Sequence, residues 1–69
     1  MLVALGAGIR RARTGIGLSQ EALAADAGLD RSYVGGIERG EHNPTVMNIV
    51  KIAGALKMEP STLLGSAGL

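Results

Sequence analysis

The chain has 69 residues, of which 46% are hydrophobic and 19% charged, and its seven Lys or Arg against six Asp or Glu give a net charge of +1. This length excludes two-domain enzymes and barrels, and the apolar content excludes a disordered segment, so we expect one domain over 1–69. Cysteine is absent, which excludes disulfides and thiolate metal sites. Because so small a core supplies little stability, we expect self-association to add to it.

Charge and hydropathy also indicate the location of the protein in the cell. The longest apolar run, 1–9, is well short of the ~18 residues that would span a membrane. Arg10 and Arg11 follow this run, whereas a secretory signal carries its positive charges before the apolar stretch. We therefore expect a soluble, cytoplasmic protein. The small net charge does not by itself favour a polyanion as partner.

Two helices are predicted in the first half of the chain. Leu2, Leu5, Ile9 and Ala12 recur at helical spacing, and the glycine-containing stretch 15–17 ends this first helix. Ser19 is placed to cap a second, alanine-rich helix over 20–27. We expect this helix to end at Gly28, which would adopt a positive φ, and the next residue, Leu29, to make a buried contact.

Three further helices complete the predicted architecture. Asp30 caps a third helix over 31–39 that Gly40 stops, and Thr45 caps a fourth with a wide apolar stripe over 46–56. Pro60 starts a short fifth helix through Leu64, and residues 65–69 are expected to fray. No stretch alternates apolar and polar residues at period two, as a β-strand would. We therefore predict an all-α bundle of five short helices.

Residues 19–40 contain the pattern that indicates a function. Two helices of about eight residues joined by a turn of three or four residues cross steeply, so that one end of the second helix projects from the molecule. B-DNA's major groove, ~12 Å wide, admits one α-helix whose N-terminal side chains reach base edges. In this chain those side chains are Arg31 and Ser32.

At these residues the chain resembles the Cro and phage-repressor type of helix-turn-helix regulators. The resemblance spans roughly residues 5 to 64 and rests on 17–24, 27–29, 32–34, 37–40, 43–45, Ile49, Ile52, Ala53, Leu56, Pro60 and Leu63. It implies a lambda-repressor-like DNA-binding domain acting as a homodimeric repressor or activator on paired half-sites. Among members of the family, the chain looks most like the small controller proteins of restriction-modification systems.

The resemblance also implies roles for individual residues. Arg31 and Ser32 would contact base edges, with Gly36 one turn later offering only close approach to a base or a thymine methyl. The expected contacts to the DNA backbone come from Ser19, Gln20, Tyr33, Arg39, His42 and Asn43. Glu41 departs from this pattern, because it brings a negative charge into the loop. Solvent exposure is the ordinary alternative for Arg31, Gln20 and His42.

Arg13 and Glu38 match positions that form a partly buried ion pair between the first and third helices in the family. They would then orient the recognition helix, whereas the rival hypothesis assigns Arg13 to DNA. Gly35 and Gly36 inside a helix cost roughly 1 kcal/mol each relative to alanine. Close approach of the backbone to DNA or to a neighbouring helix, and simple tolerance, both remain open as explanations.

A partner subunit is expected because one such module buries only ~600–1,000 Å² on DNA. Apolar residues left over after the core is filled are the dimer candidates: Met47, Val50, Met58 and Leu64, with Leu69 as a further candidate. The alternative function is a protein-interaction module of the same fold, such as an antitoxin subunit or adaptor. We find no enzyme motif, and one histidine without cysteine predicts no metal site or cofactor.

Overall fold

A computed structural model describes residues 2–68, which form five helices and no strand. The helices are α1 (Leu2–Gly15), α2 (Gln20–Ala27), α3 (Arg31–Glu38), α4 (Val46–Ala55) and α5 (Pro60–Gly65). The predicted all-α fold class is confirmed, and the helix boundaries differ from the prediction by one residue at the ends of α3, α4 and α5.

Side-chain caps fix the starts of three helices. In each case a short polar side chain accepts a hydrogen bond from a backbone amide that the helix itself leaves unpaired. The pairs are Ser19 Oγ with the amide of Ala22, Asp30 Oδ2 with that of Ser32, and Thr45 Oγ1 with that of Asn48, at 3.0, 3.0 and 3.1 Å. These are the three caps that the sequence predicts.

The turn between α2 and α3 sets the direction of α3. Gly28 adopts φ of 70°, and the amide of Leu29 reaches back to the carbonyl of Ala24 at 2.8 Å. A positive φ at this position suits glycine, which lacks a Cβ. Leu29 then packs against the core, and α3 lies against both α1 and α2.

All five helices contribute to one core. Its largest fully buried side chains are Ile9, Leu23, Val34, Ile37, Ile52 and Leu63. Two of these, Val34 and Ile37, belong to α3. Because burying each such side chain is worth about 1.5–3 kcal/mol, α3 is held firmly by its inner face, and its outer face is left for other contacts.

The end of the chain departs from the expected fraying beyond Gly65. Ser66 donates its hydroxyl to the carbonyl of Leu63 at 2.6 Å, and Ala67 packs against the core. Partial burial of Ala67 thus extends the packed part of the chain past α5, while Leu69 lies outside the described residues. Within residues 2–68, no helix combines the length and the apolarity needed to cross a membrane.

Candidate nucleic-acid interface

Arg31 occupies the first position of α3 with its side chain 62% exposed. Its Nε lies 3.4 Å from Oε1 of Glu21, which belongs to the first turn of α2. The two helix N-termini are therefore neighbours on one surface. Because an ion pair between exposed side chains contributes little stability, the Arg31 guanidinium can exchange Glu21 for another acceptor at small cost.

Ser32 is exposed beside Arg31 and is bound to its own cap residue. The Asp30 carboxylate accepts both the backbone amide and the hydroxyl of Ser32, and these hydrogen bonds lower the pKa of Asp30. With its hydrogen engaged, the Ser32 hydroxyl offers its lone pairs outward. It is thus arranged to accept a hydrogen bond from an amino group.

Gln20 is held within the protein rather than extended toward solvent. Its Nε2 donates to Oε1 of Glu38 at 3.0 Å. The amides of Gln20 and Glu21 precede the first helical hydrogen bond, which joins the amide of Leu23 to the carbonyl of Ser19. These amides, together with the exposed Ser19, therefore form the anion-attracting part of the α2 N-terminus.

Arg13 and Glu38 form a bidentate ion pair that connects α1 to α3. Arg13 Nε and Nη2 donate to the two carboxylate oxygens at 2.7 and 3.0 Å, and Nη1 donates to the carbonyl of Leu18 at 2.9 Å. The side chains are only 11% and 3% exposed, and the hydrogen bond to Glu38 raises the pKa of Arg13. Since Glu38 also binds Gln20, one carboxylate fixes α3 relative to α1 and α2.

The loop after α3 carries a second arginine–carboxylate pair, this one exposed. Arg39 Nε and Nη2 donate to Glu41 at 2.9 and 3.2 Å. The pairing raises the pKa of Arg39 and lowers that of Glu41. Glu41, which breaks the family pattern, thus balances the charge that Arg39 would bring to a phosphate.

Tyr33 links α3 to α4 by its hydroxyl, which accepts a hydrogen bond from Asn48 Nδ2 at 3.0 Å. The hydroxyl hydrogen stays available to an outside acceptor such as a phosphate. The ring is half-buried against the core. Asn43 lies exposed in the loop that follows Glu41.

The two helical glycines face different side chains. A Cβ at Gly35 would lie 3.1 Å from Arg39 Nη1 and 3.5 Å from Gln20 Oε1, so this position approaches the start of α2. Gly36 lies beneath the imidazole of His42 and is buried. The direct approach of Gly36 to a base that the sequence predicts would require the His42 ring to move, because the ring stands between its Cα and the surface.

The dimer candidates divide into two groups. Met47 and Val50 are exposed on α4, where Val46 joins them as a third exposed apolar residue that the sequence analysis missed. Met58 and Leu64 are half-buried and pack against the core of their own chain. Both residues therefore contribute to the packing of their own chain while staying partly exposed, and their place in a dimer interface stays a prediction.

No three His, Asp or Glu side chains gather into a metal-binding group anywhere in residues 2–68. The polar groups that do share a surface are the N-terminal turns of α2 and α3 with the loop that follows α3. We call this surface the α2–α3 face, defined by Ser19, Arg31, Ser32, Arg39, His42 and Asn43.

Comparison with known proteins identifies the family. The model of the Helix-turn-helix family matches residues 9–63. The crystal structure of the restriction-modification controller protein C.AhdI from Aeromonas hydrophila superimposes with a TM-score of 0.89 at 56% identity, covering 90% of this chain and 94% of that one.

Curated relatives agree with the structural match. The control protein C.BamHI of Bacillus amyloliquefaciens is 47% identical over 68% of this chain, and the control protein C.SmaI of Serratia marcescens is 44% identical over 75%. The aligned part covers 58% and 62% of those two relatives, so the match spans about three fifths of their length. The predicted resemblance to controller proteins is confirmed, and the chain belongs to the helix-turn-helix family.

Proposed function

We propose that this chain is a sequence-specific, double-stranded DNA-binding regulator of transcription that places α3 in the major groove. The observation that carries the proposal is the asymmetry of α3: Val34 and Ile37 are fully buried, while Arg31 and Ser32 stand exposed at its N-terminus. A groove ~12 Å wide accepts a helix presented in this way.

Each polar group of the α2–α3 face then has a role in the proposed complex. The Arg31 guanidinium matches the N7 and O6 acceptors of guanine, and Ser32 accepts from an amino group on a neighbouring base. The amides of Gln20 and Glu21 bind a phosphate at the positive end of α2. Ser19, Tyr33, Arg39 and Asn43 are assigned to the DNA backbone.

The similarity to control proteins supports a narrower proposal, namely that the chain controls expression of a restriction-modification system. The names of its relatives describe control proteins, a hypothetical transcription factor and an immunity repressor protein. The proposal involves no catalytic step, and a regulator of bacterial transcription would act in the cytoplasm.

We further propose that the chain works as a homodimer through α4. Val46, Met47 and Val50 form an exposed apolar patch, here called the α4 patch. Two modules are needed because a single one buries only ~600–1,000 Å² on DNA. Paired recognition helices about 34 Å apart would read a near-palindromic operator.

A charged side chain in the α4 patch is expected to abolish the dimer. We expect Val50→Asp to sediment as a monomer at micromolar concentration, whereas the unaltered chain sediments as a dimer, because a carboxylate cannot be buried unpaired in an apolar interface. Ile16→Asp is the matched control, since Ile16 is 49% exposed and Val50 45%. A monomeric unaltered chain, or dissociation by both substitutions alike, would remove the α4 patch from the proposal.

Selection from a pool of random duplexes tests the function itself. We expect enrichment of a symmetric consensus containing guanine, with an affinity that falls steeply as salt rises, because phosphate contacts displace counterions. If no duplex is enriched and binding to DNA does not respond to salt, the protein-interaction module becomes the better description of this fold.

A further inference from the structure

The imidazole of His42 occupies the space that a side chain at position 36 would fill. An ideal Cβ on Gly36 would lie 2.6 Å from His42 Nε2 and closer still to Cδ2. Gly36 follows Ser32 by four residues, and residues four apart lie above one another on a helix. The ring therefore continues the row of side chains that Ser32 begins on α3, although it comes from the loop.

Contacts with α3 hold the ring in this place. The Tyr33 ring lies 5.4 Å away, centroid to centroid, at an interplanar angle of 37°. His42 is nevertheless exposed, and neither ring nitrogen bonds to another part of residues 2–68. The imidazole is thus positioned by packing while its hydrogen-bonding groups remain free.

From this arrangement we infer that His42 is the third base-reading side chain of the α2–α3 face. From the loop, His42 makes the base contact that Gly36 cannot make because it has no side chain. The ring N–H of His42 donates to an acceptor on the edge of a purine, one helical turn beyond the base that Ser32 contacts. This inference rests on the proposed DNA binding and replaces the backbone phosphate expected for His42 from the sequence.

The position of the ring favours a base over a phosphate. Phosphates flank the groove, and we assign the contacts with them to other side chains, Arg39 and Asn43. The His42 ring instead covers the surface of α3 itself, between Tyr33 and Gly36. A helix lying in the groove would carry the ring toward the base edges together with Ser32.

The first experiment is selection of random duplexes with the unaltered chain and with His42→Ala. We expect the variant to lose about fivefold of its preference at one symmetric pair of positions, while the guanine read by Arg31 is retained. If affinity falls equally on all duplexes and every preference is kept, His42 contacts phosphate and the inference is overturned. If the unaltered chain selects no consensus, the proposed function fails instead.

A double variant tests whether a side chain at position 36 can take the place of the His42 ring. In the His42→Ala background the space above Gly36 is vacant, so His42→Ala/Gly36→Gln should create a new preference at the same base position. A new preference at any other position would contradict the shared location. Thermal unfolding of each variant, followed by circular dichroism, ensures that only folded proteins are compared.

The single histidine of the chain permits a direct observation. The ring nitrogens of His42 give one set of NMR signals, and we expect them to shift on binding the selected duplex and to remain where they are with a duplex altered only at the predicted purine. Equal shifts with both duplexes would indicate a phosphate contact and contradict the inference.

Discussion

Replacing Glu38 by glutamine should lower the melting temperature of this domain by 10 °C or more. The variant leaves the nearly buried Arg13 guanidinium facing an amide, which offers one acceptor oxygen where the carboxylate accepts from Arg13 Nε, Arg13 Nη2 and Gln20. Removing one partner of a buried ion pair costs roughly 3–5 kcal/mol. In a domain this small, each kcal/mol corresponds to about 4–8 °C.

Glu41→Gln provides the control for this substitution. It removes the same charge from an arginine–carboxylate pair with similar donor geometry, but Arg39 and Glu41 are exposed. Because exposed pairs contribute little, we expect its melting temperature to stay within a few degrees of the unaltered chain. Equally small shifts in both variants would show that the Arg13–Glu38 pair is not structural and would revive the assignment of Arg13 to DNA.

The helix boundaries could be predicted from the sequence because the signals that set them are local. Ser19, Asp30 and Thr45 each cap an amide two or three residues away, and Gly28 ends α2 through its own backbone conformation. Such signals need no knowledge of the rest of the fold. Because the Asp30 cap is also local, the start of α3 and the position of Arg31 at that start could be predicted from the sequence.

Contacts between distant parts of the chain could not be predicted in this way. Nothing near His42 in the sequence indicates that its ring covers Gly36, because the contact depends on how the loop after α3 returns over the helix. Met58 and Leu64 looked surplus for a similar reason. Whether these two residues meet their own core depends on the direction that the chain takes after α4, which spacing alone does not determine.

Electrostatic pairing on the α2–α3 face explains why so weakly charged a chain could still be selective. Arg31 is paired with Glu21, Arg39 with Glu41, and the hydroxyl of Ser32 with Asp30. In the proposed complex Arg31 and Arg39 would each exchange a carboxylate of their own chain for DNA, so we expect contacts with phosphate alone to gain little. The Ser32 hydroxyl would keep its hydrogen on Asp30 and accept from a base. We therefore expect discrimination between sequences to come from contacts with bases, and above all from Arg31.

Arg31→Ala is therefore expected to remove the guanine preference of the chain. A bidentate arginine–guanine contact discriminates by about 1–3 kcal/mol, which corresponds to roughly five- to 150-fold in affinity. On the selected duplex we expect the affinity of the variant to fall by at least tenfold. On the same duplex with that guanine exchanged, the affinities of variant and unaltered chain should become similar.

Arg11→Ala separates this loss of readout from a simple loss of charge. Arg11 is exposed on α1, and its guanidinium lies near Gly8, which faces Ser66 after α5. Arg13, two residues later, is the side chain of this helix that faces α3. Both variants lower the net charge by one, so any long-range attraction to DNA weakens equally. If the two variants lose affinity to the same extent on every duplex, Arg31 contributes charge alone, and α3 does not read guanine through its first residue. If only Arg31→Ala relaxes the consensus, the exposed N-terminus of α3 is the part of this fold that recognises sequence.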